Sequence, residues 1–522
     1  MQDTLLDENG KREPGVILMI MKIGWPIVFQ WLASITRSVV TYWLLGKYAD
    51  ETAMAAYGLA NVLCNITGRT ILMGLGAGMD TFATQAWGAR EHRKLGIVCL
   101  RTFTILTLFA NVPVCIFWTF AGPILTAAGQ PPHVATEVGL YARISLPGQL
   151  TLALTTVLTK MLVAMGKTGK MLLINVTFNI LGVAFTFLAV APPINAGVYG
   201  AAIVSSTSQV AMGVLYLAVV SCDRDCRKCW PGLSFTEAFR GWWPFLKIAF
   251  PAFLMGVCEW WSWDLVTFLA GECHTATGAK PDKPTDVSAA QGLLASILAV
   301  SYALAIAVNG GVGTVVGNAL GAGDAKRARN GAFAGFWMSV VSMLLGCGML
   351  ILLRDKWHFV FRAEEGITDI IKQMIYWVAI FAMADGMQTA LAGAISGAGK
   401  QAVTTPILVV AYWILGLPLG SISAFVYPKN GLLGVWWGMT LAVYIHLSAF
   451  IFLVFCPSCP GAIRWEVAAA AAAERIEQLG NEGEGSQDAS GAESSVEPII
   501  AASINAEPVI EPRSDQPTAQ LQ

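Results

Sequence analysis

Charge is scarce in this sequence. Asp, Glu, Lys and Arg make up 13% of its 522 residues, against about 25% in an ordinary soluble domain. The net charge is −1, so nothing argues for a nucleic-acid partner. A phosphate loop of the form G-x-x-x-x-G-K-S/T is missing, which leaves nucleotide-driven transport without support. H-E-x-x-H and G-x-S-x-G are missing too, and no nucleophile stands with a base. The chain therefore reads as a non-enzyme without a cofactor. Its first residues, MQDTLLDENGKREPG, are polar and acidic and lack the basic start of a cleavable signal peptide.

What the sequence has instead is apolar surface. Hydrophobic residues are 55% of the chain, and the mean hydropathy is +0.59. Windows of about twenty apolar residues predict a polytopic all-α membrane protein with twelve spans. Their cores lie at 24–46, 53–84, 98–121, 140–165, 171–191, 196–220, 245–270, 290–316, 331–353, 372–397, 402–425 and 432–456. Gly, Pro, Ser and Thr within them are tolerated where neighbours satisfy the backbone. Small residues from Leu391 to Gly399 let helices approach closely.

Loop charge sets the orientation. The loops after even-numbered spans hold Arg90, Arg93, Lys94, Lys167, Lys170, Arg224, Arg227, Lys228, Arg240, Lys326, Arg327, Arg329 and Lys400. The opposite loops hold Lys47, Lys280, Lys283, Arg354, Lys356, Arg362 and Lys429. This bias places both termini in the cytoplasm. The loop Glu272 to Ala289 is then the longest outer one, placed to lie over a cavity.

The chain also repeats itself. Gln85-Ala-Trp-Gly88-Ala aligns with Asn318-Ala-Leu-Gly321-Ala, Gly166 with Gly397, and Gly197-Val-Tyr-Gly200 with Gly431-Leu-Leu-Gly434; the offsets are 233, 231 and 234 residues. Three anchors in one order imply two six-helix lobes related by a pseudo-two-fold axis along the membrane normal, with a V-shaped cavity between them. The expected division is a cytoplasmic segment 1–14, an N-lobe 15–221, a cytoplasmic linker 222–239, a C-lobe 240–456 and a tail 457–522. The tail contains poly-alanine and is rich in Glu, Ser, Gly and Pro, so it is expected to be disordered.

Ionisable residues inside the spans are the candidates for function, because charge facing lipid is costly. Glu259 falls mid-span in FPAFLMGVCEWWSWDLVTFLAG, and Asp385 falls mid-span in YWVAIFAMADGMQTALAGAISG. Low dielectric favours the neutral form of a carboxyl, so an acid in a cavity with alternating access can carry a proton. Asp264 is either a second site carboxylate or an interfacial cap. Arg37 and Lys160 could each neutralise a carboxylate, in a structural or a functional role. Asp80 reads as a structural partner for a nearby loop base, and His446 as a hydrogen-bonded packing residue. Trp260, Trp261 and Trp263 lie too deep for an interfacial belt. Either they pack helices, or at least one lines a cavity where an aromatic face holds an organic cation. Cys222, Cys226, Cys229, Cys456 and Cys459 have spacings also found at iron–sulfur and zinc sites, but reduced or acylated thiols beside the bilayer are the expectation.

Four stretches together resemble the multidrug and toxic compound extrusion (MATE) family, its eukaryotic branch in particular. Cys258-Glu-Trp-Trp-Ser-Trp-Asp-Leu265 resembles C-L/M-E-W-W-x-Y/F-E-L/V, with one residue fewer after the Cys. Gly78-Met-Asp80-Thr-Phe-Ala-Thr-Gln85-Ala-Trp-Gly88-Ala resembles A-x-D/E-T-x-x-G-Q-x-F/Y-G-A. Gly317-Asn318-Ala-Leu-Gly321-Ala-Gly-Asp resembles x-N-E-L-G-A-G-N/D. Ala384-Asp385-Gly followed by Gly397-Ala-Gly399 resembles the tenth-helix acid and its G-x-G. Ala319, Val315 and Ser396 depart from the pattern, where relatives carry Glu, Arg and Arg.

The resemblance implies a proton-coupled antiporter that exports small organic solutes, organic cations above all, across a membrane; the expected state is a monomer in the plasma or vacuolar membrane. It makes Glu259 and Asp385 the coupling acids and Asp264 the second acid of the seventh helix. An exporter of organic anions such as citrate or phenolic conjugates, a lipid-linked saccharide flippase and a passive channel or receptor remain the alternatives.

Overall fold

The computed structural model describes residues 15–49, 51–230, 232, 235–273, 285–357, 365–427 and 430–484. Segment 1–14, the greater part of the outer loop (274–284), Arg362, Lys429 and the tail beyond 484 lie outside the described residues. Among those described, every regular element is a helix. The long ones are α1 (Val16–Tyr48), α2 (Ala56–Gly88), α3 (His92–Thr119), α4 (Pro132–Ala164), α5 (Thr168–Val190) and α6 (Gly197–Cys222). After a connecting segment come α7 (Trp242–Gly271), α8 (Val287–Gly321), α9 (Ala325–Leu352), α10 (Gly366–Ala398), α11 (Gln401–Val426) and α12 (Gly431–Phe455).

Eleven helices among the described residues are long and apolar enough to cross a membrane. The exception among α1–α12 is α7, which has the length. Glu259, Asp264 and the tryptophans at 260, 261 and 263 dilute its apolar character.

The buried apolar residues fall into separate clusters on either side of a seam. The largest joins α8–α12 with Ile20 and Ile23 of α1. A second joins α2–α6 with Phe245 and Ala249 of α7. Helices α1 and α2 face α7 and α8 across the seam, and contact is closest at glycine. A Cβ on Gly88 would stand 2.0 Å from the Asn318 carbonyl oxygen, and one on Gly321 would stand 2.0 Å from that of Gln85. Only glycine permits this reciprocal approach.

The backbone refines the internal repeat. Arg90 and Gly323, Gly166 and Gly399, and Gly197 and Gly431 all have positive φ, at offsets of 233, 233 and 234 residues. Gly166 therefore corresponds to Gly399, not to Gly397 as the sequence alignment has it. Both end their helices in the left-handed conformation.

The connecting segment is tied to the first half of the chain. Asp223 caps the short helix Arg224–Lys228 by accepting from the backbone N–H groups of Asp225 and Cys226, each at 3.0 Å. Burial raises its carboxyl pKa, but bonds from Lys167 and Lys170 more than offset this and hold it well below the usual carboxylate value. Arg93 pairs with Glu237 at 2.6 Å. Cys226 and Cys229 are buried while Cys222 is exposed.

The tail corrects an expectation of disorder. Residues Trp465–Glu484 form α13. Ala468, Ala472, Ile476 and Leu479 recur at helical spacing and are buried, against α8 and α9 on one side and α2 and α3 on the other. An apolar stripe of this period stabilises a helix by packing rather than by composition.

Candidate functional site

Helix α7 carries Glu259 and α10 carries Asp385, and one residue joins them. Gln388 lies three residues after Asp385, on the same helix face. Its Nε2 donates to Glu259 Oε1 at 3.1 Å and to Asp385 Oδ1 at 3.2 Å. Asp385 is 4% exposed and Gln388 1%, so this single amide is the shared donor of two carboxyls at membrane depth. Thr389, next in α10, gives its backbone carbonyl to Asn309 Nδ2 of α8 at 2.6 Å, which pins α10 to α8.

Both acids open onto a cavity of about 260 Å³ at the seam. Glu259, Trp260, Trp263 and Asp264 line it from α7, Trp31 from α1, Asn65 from α2, Tyr302 from α8 and Asp385 from α10. Asp264 Oδ2 is buried without a hydrogen-bond partner among the described residues. Trp263 is also a packing residue, with its ring 5.0 Å from that of Phe381 and 5.5 Å from that of Trp436.

Three of the candidate lining residues, Trp261, Lys160 and Arg37, do not line this cavity. Trp261 lies a further 100° around the α-helix from Trp260, and its indole N–H is buried without a partner among the described residues. Lys160 of α4 binds Asp80 instead, with Nζ at 2.8 and 2.7 Å from the two carboxylate oxygens. The partner of Asp80 is thus a base within α4 and not a loop base. Arg37 lies against α5, where a Cβ on Gly182 would be 2.8 Å from its guanidinium carbon. His446 packs edge-on against Phe450, with centroids 4.0 Å apart. Neither of its ring nitrogens has a hydrogen-bond partner among the described residues, against the expectation of a bonded histidine.

The remaining motif residues meet at the end of the bundle that carries the basic loops. Gln85 Nε2 donates to the Gly397 carbonyl at 2.9 Å, and Thr81 Oγ1 to the Ser396 carbonyl at 2.6 Å. Asn318 Nδ2 reaches the Ala164 carbonyl at 3.3 Å. With Gly88 and Gly321 in contact across the seam, this end is closed. Arg475 of α13 completes it, donating to Gln85 Oε1 at 2.8 Å and to the Ala398 carbonyl at 3.3 Å. Its guanidinium also touches Gly399. It therefore brings positive charge to the turn just after Ser396, the position where the family pattern has Arg.

Gln388, Tyr302, Asn65 and Arg475 were not singled out from the sequence. Gln388 had a readable signal, a polar side chain one turn from a buried acid. The others become partners only through tertiary contact.

Acids gathered in a cavity at the seam of a helical membrane bundle define a multi-pass membrane transporter. The chain belongs to the MatE family, whose model matches residues 26–188 and 251–422. Proteins of this family are transporters rather than enzymes. The chain is 28% identical over 436 residues to Protein DETOXIFICATION 53 of Arabidopsis thaliana, covering 83% of this chain and 87% of that one. It is 28% identical over 460 residues to Multidrug and toxin extrusion protein 1 of Danio rerio, covering 87% and 74%. Its fold is similar to the crystal structure of the eukaryotic MATE transporter AtDTX14, with a TM-score of 0.78 at 22% identity, over 88% of this chain and 99% of that one.

Proposed function

We propose that this protein is a proton-coupled antiporter that exports small organic cations, acting as a monomer. The observation that carries this reading is the pair of carboxyls, Glu259 and Asp385, bridged by Gln388 in the seam cavity. One amide cannot neutralise two carboxylates, so protons or a cation must supply the missing positive charge. Proton and cation then exclude one another, and exchange follows if the cavity opens alternately to the two sides. Asp264 adds negative charge at the cavity wall, and Trp260 and Trp263 offer ring faces to the cation.

In this reading α7 crosses the membrane with the other eleven long helices, giving twelve spans in two six-helix lobes, 15–221 and 240–456, joined by 222–239. The recurrence of left-handed helix ends at 233 to 234 residues supports the repeat. Positive loop charge supports a cytoplasmic side for the closed end and both termini, and the membrane in this reading is the plasma or vacuolar membrane. The cavity then faces outward in this conformation. A one-for-one exchange of proton for organic cation moves no net charge, so the proton concentration gradient drives it, and each tenfold in that gradient is worth about 1.4 kcal/mol. A flippase for a pyrophosphate-linked saccharide would need a basic cavity, and these walls carry three acids.

The test is pH-gradient-driven uptake of cationic dyes into inside-out vesicles. Glu259→Gln is expected to abolish uptake while the protein still reaches the membrane. Uptake at the unmodified rate would refute the mechanism.

A further inference from the structure

A second cavity, of about 60 Å³, lies within the first half of the chain, where α2, α4 and α6 meet. Its walls are polar and include Arg69, Gln149, Ser205, Ser206 and Gln209. The volume suits one small polar group and is far below the several hundred Å³ that hold a whole drug-sized ligand.

Arg69 reaches this cavity because α2 changes pitch. Residues Asn65–Arg69 form a π-helical turn, a widening that recurs at functional sites. Asn65, at its start, lines the acid cavity, and Arg69, at its end, lines the small one. A single turn of helix thus joins the two spaces.

Arg69 has no ion pair or hydrogen bond among the described residues, and neither has Arg37. The two guanidiniums lie within electrostatic reach of each other and of Tyr57 and Tyr141. Asp80, the acid further along α2, is already paired with Lys160. Positive charge at membrane depth persists only against a counter-charge or water, and among the described residues no carboxylate here supplies one. Ser206 accepts from the Gly148 N–H at 3.1 Å, which leaves its own O–H free to donate.

We propose that the small cavity is an anion subsite in which Arg69, aided by Ser206, holds the carboxylate of the transported molecule. The proposal rests on the exporter reading above and narrows it. The substrate is amphoteric, with its cationic part in the Glu259–Asp385 cavity and its carboxylate on Arg69. Arg37 adds positive potential to the same region.

The test is calorimetric binding to the purified full chain in chloride-free buffer. The probes are phenyltrimethylammonium, its 4-carboxylate, benzoate and benzamide. The carboxylated cation is expected to bind roughly tenfold or more tightly than phenyltrimethylammonium, as one buried charge-assisted bond implies. Arg69→Gln should erase that preference and leave phenyltrimethylammonium binding unchanged, while Arg69→Lys keeps part of the preference. No preference in the unmodified protein, or one that survives Arg69→Gln, overturns the subsite. If the Gln variant does not fold, the unmodified protein decides alone, because equal binding of benzoate and benzamide overturns the proposal. Failure of phenyltrimethylammonium to bind counts against the cation reading and leaves the benzoate comparison valid.

Discussion

Gln388 holds the acid pair together, and it does so with a neutral group. Its amide supplies a donor to each carboxyl without adding charge, so the cavity keeps its full appetite for protons or cations. A bond to a charged group contributes about 1.5–3 kcal/mol. Gln388→Ala is accordingly expected to slow gradient-driven uptake by roughly tenfold or more, with normal amounts of protein in the membrane. A variant that transports at the original rate would remove Gln388 from the mechanism. Glu259 and Asp385 were legible in the sequence because isolated acids stand out in apolar runs. Gln388 was readable only as a polar side chain one turn from Asp385; its bond to Glu259 emerges once α7 is placed beside α10. Arg69 escaped for a different reason: it lies in NITGRTILMGLGAGMD, where small residues blur where one packing face ends and the next begins.

At the scale of elements, the contact of α2 with α8 decides whether one end of the bundle is shut. Gly88 and Gly321 touch the opposite backbone, and overpacking a close contact costs about 1–3 kcal/mol. Gly88→Ala is expected to push α2 off α8 and loosen the closed end. A cysteine placed at Thr84 should then react faster with a membrane-impermeant maleimide applied from the basic-loop side. Equal labelling with and without the Gly88 change would show that the contact does not set closure. These glycines were visible in the sequence as a repeat. Their pairing across the seam was not, since a repeat gives the order of segments and not their partners. Helix α13 was missed because its alanines and glutamates resemble low-complexity sequence. The spacing of Ala468, Ala472, Ile476 and Leu479 was the signal available, and period outweighs composition in such a stretch.

For the whole molecule, α13 acts as a strap over the closed end, with Arg475 bonded to Gln85 from one half of the chain and Ala398 from the other. Arg475→Ala is expected to favour opening at this end, read as faster exchange of backbone amide hydrogens in residues 84–94 and 317–327. Unchanged exchange there would mean that α13 only covers the surface. The outline of the molecule was largely legible: apolar runs placed the helices, and loop charge proposed the orientation. The strap was not, because it joins residues 390 positions apart in the chain, and nothing local records such a contact.

The strap has a practical consequence for anyone handling the protein. The chain continues from α13 to the C-terminus, the usual place for a fluorescent protein or an affinity resin. Cargo attached there hangs from a helix that bridges both sides of the seam. A rate measured on such a fusion reports the pull of the cargo together with the transporter, whereas a label in an outer loop leaves the strap unloaded.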